Sequence, residues 1–141
     1  EHCRIGSWGH GVHADVLAIL DRATKRGAEV VDLLAALNTG HDGGAGTVHA
    51  NSPGEVPARL EALAALGGLD RAALHSQLAA AVQVLLHVSR GSDGRRRLSE
   101  IAVLGRDDTG RVIVLPAWHV DRGAGSGFRP LMQVIRDRCG R

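Results

Sequence analysis

Apolar residues recur along this chain with two different periods, and the change of period divides it. Val30, Leu33, Leu34 and Leu37 fall at i, i+3, i+4 and i+7, which predicts a helix over Ala28–Leu37 with one buried stripe, stopped by Asn38 and Gly40. Val56, Leu60, Leu63 and Leu66 predict a second helix over Pro57–Leu66. Ser52 and Glu55 stand before it at capping-box spacing with Pro53 between, and Gly67-Gly68 follow it. Asp70 then caps a third helix, Arg71–Ala80, with Leu74 and Leu78 inward.

Beyond Ala81 the period becomes two. Val82, Val84, Leu86 and Val88 alternate with Gln83, Leu85, His87 and Ser89, as in a strand with a strongly buried face. Turn signals at Arg90–Arg95 and Asp107–Gly110 separate this strand from Arg96–Leu104 and Arg111–Leu115, which predicts an antiparallel meander over Val82–Leu115. A last helix over Phe128–Arg138 follows a glycine-rich tail, with Leu131, Val134 and Ile135 inward. Near the start, Val16–Leu20 fits either a buried strand or one helical turn. The fold class expected is α/β.

Composition narrows the picture without changing it. The 141 residues suffice for one compact domain, and with Phe128, Trp8 and Trp118 as the only aromatics its core must be aliphatic. That inventory also disfavours stacking on single-stranded bases. A formal net charge of +2, with Lys25 as the only lysine, argues weakly for nucleic acid, and no direct nucleic-acid partner is expected. Cys3 and Cys139 suggest no disulfide framework. No run approaches the roughly 18 apolar residues of a membrane span and no signal-peptide pattern opens the chain, so the expectation is a cytoplasmic protein. The first residue is Glu1, which points to a fragment or a processed product.

Candidate chemistry concentrates in Asn38–Ser52, between two helices. This stretch holds His41, His49, Thr39, Thr47, Asp42 and four glycines, including Gly40 and Gly43. Glycine permits close backbone approach to a ligand, and histidine and threonine supply movable polar groups. Gly46–Ala50 alternates as a short strand would, which puts Thr47 and His49 on one face where both can meet one ligand. A flexible polar loop explains the same composition. The cluster Arg90, Arg95, Arg96 and Arg97 suits phosphate contact or a solvated hairpin tip. At the amino end, Gly6 and Gly11 have the spacing of the outer glycines of a phosphate loop, but Val12 and His13 replace the lysine and hydroxyl residue that must follow. Cys3, His10 and His13 match no regular zinc spacing, and no metal site is expected.

The strings Arg26–Leu34, Leu37–Gly43, Thr47–Pro53 and Arg59–Glu61, followed by Val84–Ser89, Asp93–Arg96 and Ser99–Ile101, resemble the secretion ATPases of type II and type IV systems. They are most similar to the tight-adherence (Flp) pilus assembly, or conjugal-transfer-associated, branch. The resemblance spans about Arg26 to the C-terminus and is specific because several motifs occur in the family's order. It implies the C-terminal portion of a RecA-like P-loop NTPase core that uses ATP and Mg²⁺. It also implies a homo-oligomer, a ring of six subunits, working with inner-membrane pilus or secretion platform proteins at the cytoplasmic side of that membrane.

Within that resemblance, Gly40-His41 through Ala50 matches the family's histidine box, which faces the nucleotide's terminal phosphate. His49 then takes the place of the phosphate sensor with Thr47 beside it, and Gly40, His41 and Gly43 are supporting residues. Histidine suits that role because it donates hydrogen bonds to phosphate and changes charge near neutral pH. Two departures stand out. The family's Gly-Lys-Ser/Thr loop does not occur in these residues, and Thr24 occupies the place of the glutamate that polarises the catalytic water. Residues 1–25 therefore read as an atypical, truncated or altered segment before a family portion over 26–141, and the chain by itself is not expected to hydrolyse ATP. A non-catalytic ring-binding or regulatory module is the alternative, with a small nucleic-acid-binding protein behind it.

Overall fold

The computed structural model describes residues 16–19, 27–39 and 45–139. Gly40, His41 and Gly43, Thr24, and the motifs of residues 1–15 lie outside them. Among the described residues the order is strand β1 (Val16–Ile19), helix α1 (Gly27–Asn38), a 3-10 turn (Pro53–Glu55), α2 (Val56–Leu66), α3 (Arg71–Ala81), β2 (Val84–Arg90), β3 (Arg96–Arg106), β4 (Val112–His119), β5 (Gly123–Ala124) and α4 (Phe128–Cys139). The strands form one sheet in the order β1-β2-β3-β4-β5. β1 pairs parallel with β2, and the three helices α1 to α3 lie between them in sequence. The remaining pairs are antiparallel. This is a mixed α/β architecture, with the expected meander extended at its far end by Pro116–His119 and by β5.

Alternation along β2 sends its residues to two cores. Leu85 packs with Val30, Leu34, Leu60, Leu74 and Leu78 from α1, α2 and α3, while Val84 packs with Val103, Ala117 and Leu131 of α4. Helices therefore cover both faces of the central strands. The expected inward residues of α1, α3 and α4 hold: Val30 and Leu34 are buried, Leu74 and Leu78 are fully so, and Leu131 is buried with Val134 and Ile135 packed beside it. Asp70 caps α3 by accepting from Ala73 N at 2.8 Å.

Three expectations fail locally. Leu66 is 80% exposed, and Ala64 takes its place in the α2 stripe. Ten residues after Val56 at about 100° each, Leu66 has rotated well off the face that Val56, Leu60 and Ala64 share. The Ser52–Glu55 capping box does not form, since the Ser52 side chain makes no capping bond. Glu55 Oε2 instead accepts from Asn51 N at 3.2 Å and Asn51 Nδ2 at 3.0 Å, because the two prolines turn the entry into a 3-10 segment. Gly46–Ala50 is irregular rather than a strand. β1 and β3 occupy the two sides of β2, so this segment does not pair with that strand.

A buried polar chain joins α2, α3 and β4. Val112 N donates to His75 Nδ1 at 2.9 Å, which places the imidazole proton on Nε2, and Nε2 meets Glu61 Oε1 at 2.7 Å. Arg71 Nε lies 3.0 Å from the other Glu61 oxygen. Burial pushes the Glu61 carboxyl up, but the hydrogen bond from His75 and the charge of Arg71 outweigh it and hold the group below its ordinary value. A carboxylate depressed in this way contributes stability that is full above its unfolded pKa and lost as pH falls through the folded one. The urea midpoint of the parent chain is therefore expected to drop as pH falls below about 5, whereas Glu61→Gln should show a flatter profile. Parallel profiles for the two proteins would contradict the assignment.

Candidate phosphate-binding site

The segment after residue 44 is anchored to the core by Val48, with Ala50 packed beside it. Val48 is buried in the core of α1, α2 and α3, and its neighbours divide to either side. Thr47 is half-buried and borders a small apolar gap with Val30, Leu33, Leu34 and Leu60. His49 is exposed and borders a different, polar pocket of about 150 Å³. The structure therefore separates the two residues that a regular strand would have placed on one face.

The polar pocket lies against the carboxyl end of β2. His49 and Ala50 form one wall, and His87, Ser89 and Arg90 of β2 with Arg96 of β3 form the others. In α/β sheets that end of a parallel strand is where ligands are held. The ring of His87 is steadied by Ser99, whose hydroxyl donates to the His87 carbonyl at 3.0 Å and lies 3.0 Å from His87 Nδ1. A register shift between His87 and Val88 accompanies this contact. Farther out, Arg97 binds Asp93 through both guanidinium nitrogens, at 3.1 and 2.6 Å, and holds that carboxyl below the usual range. Gly94, with φ of +75°, makes the tight turn between them.

Among the described residues, the polar side chains bordering the pocket are two histidines, two arginines and a serine. Such a set offers hydrogen-bond donors to an oxyanion. The volume admits a phosphate group but falls well short of the roughly 300–1,000 Å³ that encloses a whole organic ligand. His87, Arg90 and Arg96 are the residues a motif reading leaves aside. The basic run at Arg90–Arg97 was the available signal, but a solvated hairpin tip has the same composition.

Residues 25–93 match the family model described as type II/IV secretion system protein, and this part of the chain belongs to that family. Two Mycobacterium tuberculosis proteins, from strains CDC 1551 / Oshkosh and ATCC 25618 / H37Rv, are each 73% identical to it over 114 residues. Their names mark them provisionally as conjugal transfer proteins. The match covers 81% of this chain but 32% of either relative, so the chain spans about a third of their length. Among the described residues, no helix is long and apolar enough to cross a membrane.

Proposed function

We propose that this chain is the C-terminal part of a RecA-like, ring-forming ATPase that drives pilus assembly or type II/IV secretion, in the tight-adherence and conjugal-transfer branch of the family. It works at the cytoplasmic side of the inner membrane through platform proteins there, with His49 as the sensor of the terminal phosphate of ATP. Supporting this reading is the position of His49 beside a pocket lined by Arg90 and Arg96 at the carboxyl end of a parallel strand. ATP supplies the transferable phosphoryl group, and Mg²⁺ neutralises its charge. The pocket's donors fit that phosphoryl group alone, so the base, the ribose and the metal are held by groups outside it. Thr47, beside the apolar gap, acts on His49 only through the intervening backbone, and Gly40, His41 and Gly43 support the same loop.

On this proposal the 141 residues do not turn over ATP by themselves. Positioning and charge neutralisation in phosphoryl transfer come from the Gly-Lys-Ser/Thr loop, Mg²⁺ and an acidic residue. The loop is not in this sequence, and Thr24, neither anionic nor basic, stands in the glutamate's place. Phosphate release by the purified chain, followed with malachite green, is expected to stay at the no-protein baseline. In a chimera where residues 26–141 replace the matching part of a full-length relative, turnover should be restored, and His49→Gln should lower it about a hundredfold. Robust turnover by the chain alone, or a chimera indifferent to His49→Gln, would sink the proposal.

A further inference from the structure

His87 borders the pocket with its hydrogen-bonding roles already assigned. The Ser99 hydroxyl has one proton and two neighbours at 3.0 Å, the His87 carbonyl oxygen and His87 Nδ1. A carbonyl oxygen can only accept, so the proton goes there, and Nδ1 donates to Oγ in turn. A neutral imidazole protonated on Nδ1 carries its lone pair on Nε2. The strands are built around this contact. His87 stands opposite Glu100 and Val88 opposite Leu98, so Ser99 is the extra residue of a bulge in β3, and its carbonyl accepts from Val120 N at 2.9 Å. Among the described residues, neither Glu100 nor any other group hydrogen-bonds Nε2. By the alternation of β2, His87 shares the sheet face of Leu85, the face on which Val48 is buried and along which the pocket lies.

Resting on the reading of this pocket as a phosphoryl site beside His49, we propose that His87 makes it selective for phosphate that still carries a proton. Nε2 accepts a hydrogen bond from a phosphate O–H, while donors such as the Arg90 guanidinium meet the bare oxygens. Inorganic phosphate keeps one proton in neutral and mildly alkaline water. Sulfate keeps none, and the terminal phosphoryl group of a nucleotide loses its last near neutrality. A lone pair aimed at a bare oxyanion repels it and goes unsatisfied, so the site separates two tetrahedral anions of nearly equal size. Hydrolysis itself creates the difference. The attacking water leaves one of its protons on the phosphate it forms and releases the other to solvent. His49 thus reads that a phosphoryl group is present, and His87 reads that it has been set free as product.

The probes are sodium phosphate and sodium sulfate, titrated at matched ionic strength into the full 141-residue chain and read from backbone amide shifts. The solution is kept at about pH 8, above the range in which imidazole takes up a second proton. The parent chain should bind phosphate at least about tenfold more tightly than sulfate, the difference expected for one charge-assisted hydrogen bond made or left unmade. Long-range proton–nitrogen correlation should find the His87 ring proton on Nδ1. His87→Gln, whose amide turns either a donor or an acceptor to the ligand, should bring the two affinities together, and so should Ser99→Ala, which frees the tautomer. Arg129→Gln on α4 should keep the parent ratio, and unchanged shifts away from the pocket verify that each variant is folded. If both anions bind equally and His49→Gln weakens both, the selectivity is overturned and the sensor reading stands. If phosphate is preferred only while His87 is present and His49→Gln changes neither affinity, the selectivity stands and the sensor reading falls. A ring proton on Nε2, or no saturable phosphate binding by the parent, overturns the selectivity outright.

Discussion

Replacing Gly127 by alanine is expected to destabilise the chain by about 3 kcal/mol, the upper range for forcing an extra methyl into packed structure. A Cβ at this buried position would overlap the carbonyl oxygen of Leu115, and it would lie 3.0 Å from the Leu115 carbonyl carbon and 3.1 Å from its Cβ. None of these is a flexible side-chain end, so the backbone of β4 would have to move. Gly127 N also donates to the Pro116 carbonyl at 2.8 Å, which holds the two segments at this separation. The damage should reach α4, which begins at the next residue and buries Leu131 against Val84, Val103 and Ala117. Urea unfolding with hydrogen exchange provides the check: α4 amides should lose protection before those of α3. A midpoint equal to that of the parent would show that the approach is looser than described.

The second large effect is expected at His75. Alanine there removes both bonds of the imidazole, leaving the Val112 N–H without its acceptor and Glu61 without its inner donor. An orphaned buried N–H costs about 1–3 kcal/mol, and the space left by the ring adds to it, so a loss of about 3 kcal/mol at neutral pH is expected. By contrast, Arg71→Ala removes a contact whose cation is more than half exposed, and it should cost less than about 1 kcal/mol. Equilibrium urea denaturation of the two variants side by side separates the cases. Equal losses would mean that the network is held from its solvent end.

Much of the architecture was legible because it is local. Val30, Leu33, Leu34 and Leu37 announce α1, and Asp70 announces the start of α3, through contacts within one or two turns of the same helix. The alternation of Val84 to Ser89 and the turn at Asp107–Gly110 similarly announce the meander. His75 escaped this kind of reading. It sits one residue after Leu74 on α3, and only its pairing with Glu61, 14 residues away, and with Val112, 37 residues away, explains why a polar ring is buried. Leu66 misled for the opposite reason, since spacing by three kept it on the stripe while the accumulated helical rotation carried it into solvent.

By itself, the sequence determined the type II/IV secretion family over residues 25–93 and the helices α1, α3 and α4. Those follow from residue order and short-range periodicity. Only the tertiary structure decided that His49 stands beside His87, Arg90 and Arg96, about forty residues along the chain, and that Thr47 turns to an apolar gap instead. The physical reason lies in the sheet. With β1 and β3 on the two sides of β2, the segment Gly46–Ala50 does not pair with β2 and is irregular, and with Val48 buried its neighbours Thr47 and His49 border different gaps. Register across β2 and β3 then sets which arginines face each other, a property of paired strands that neither strand carries alone.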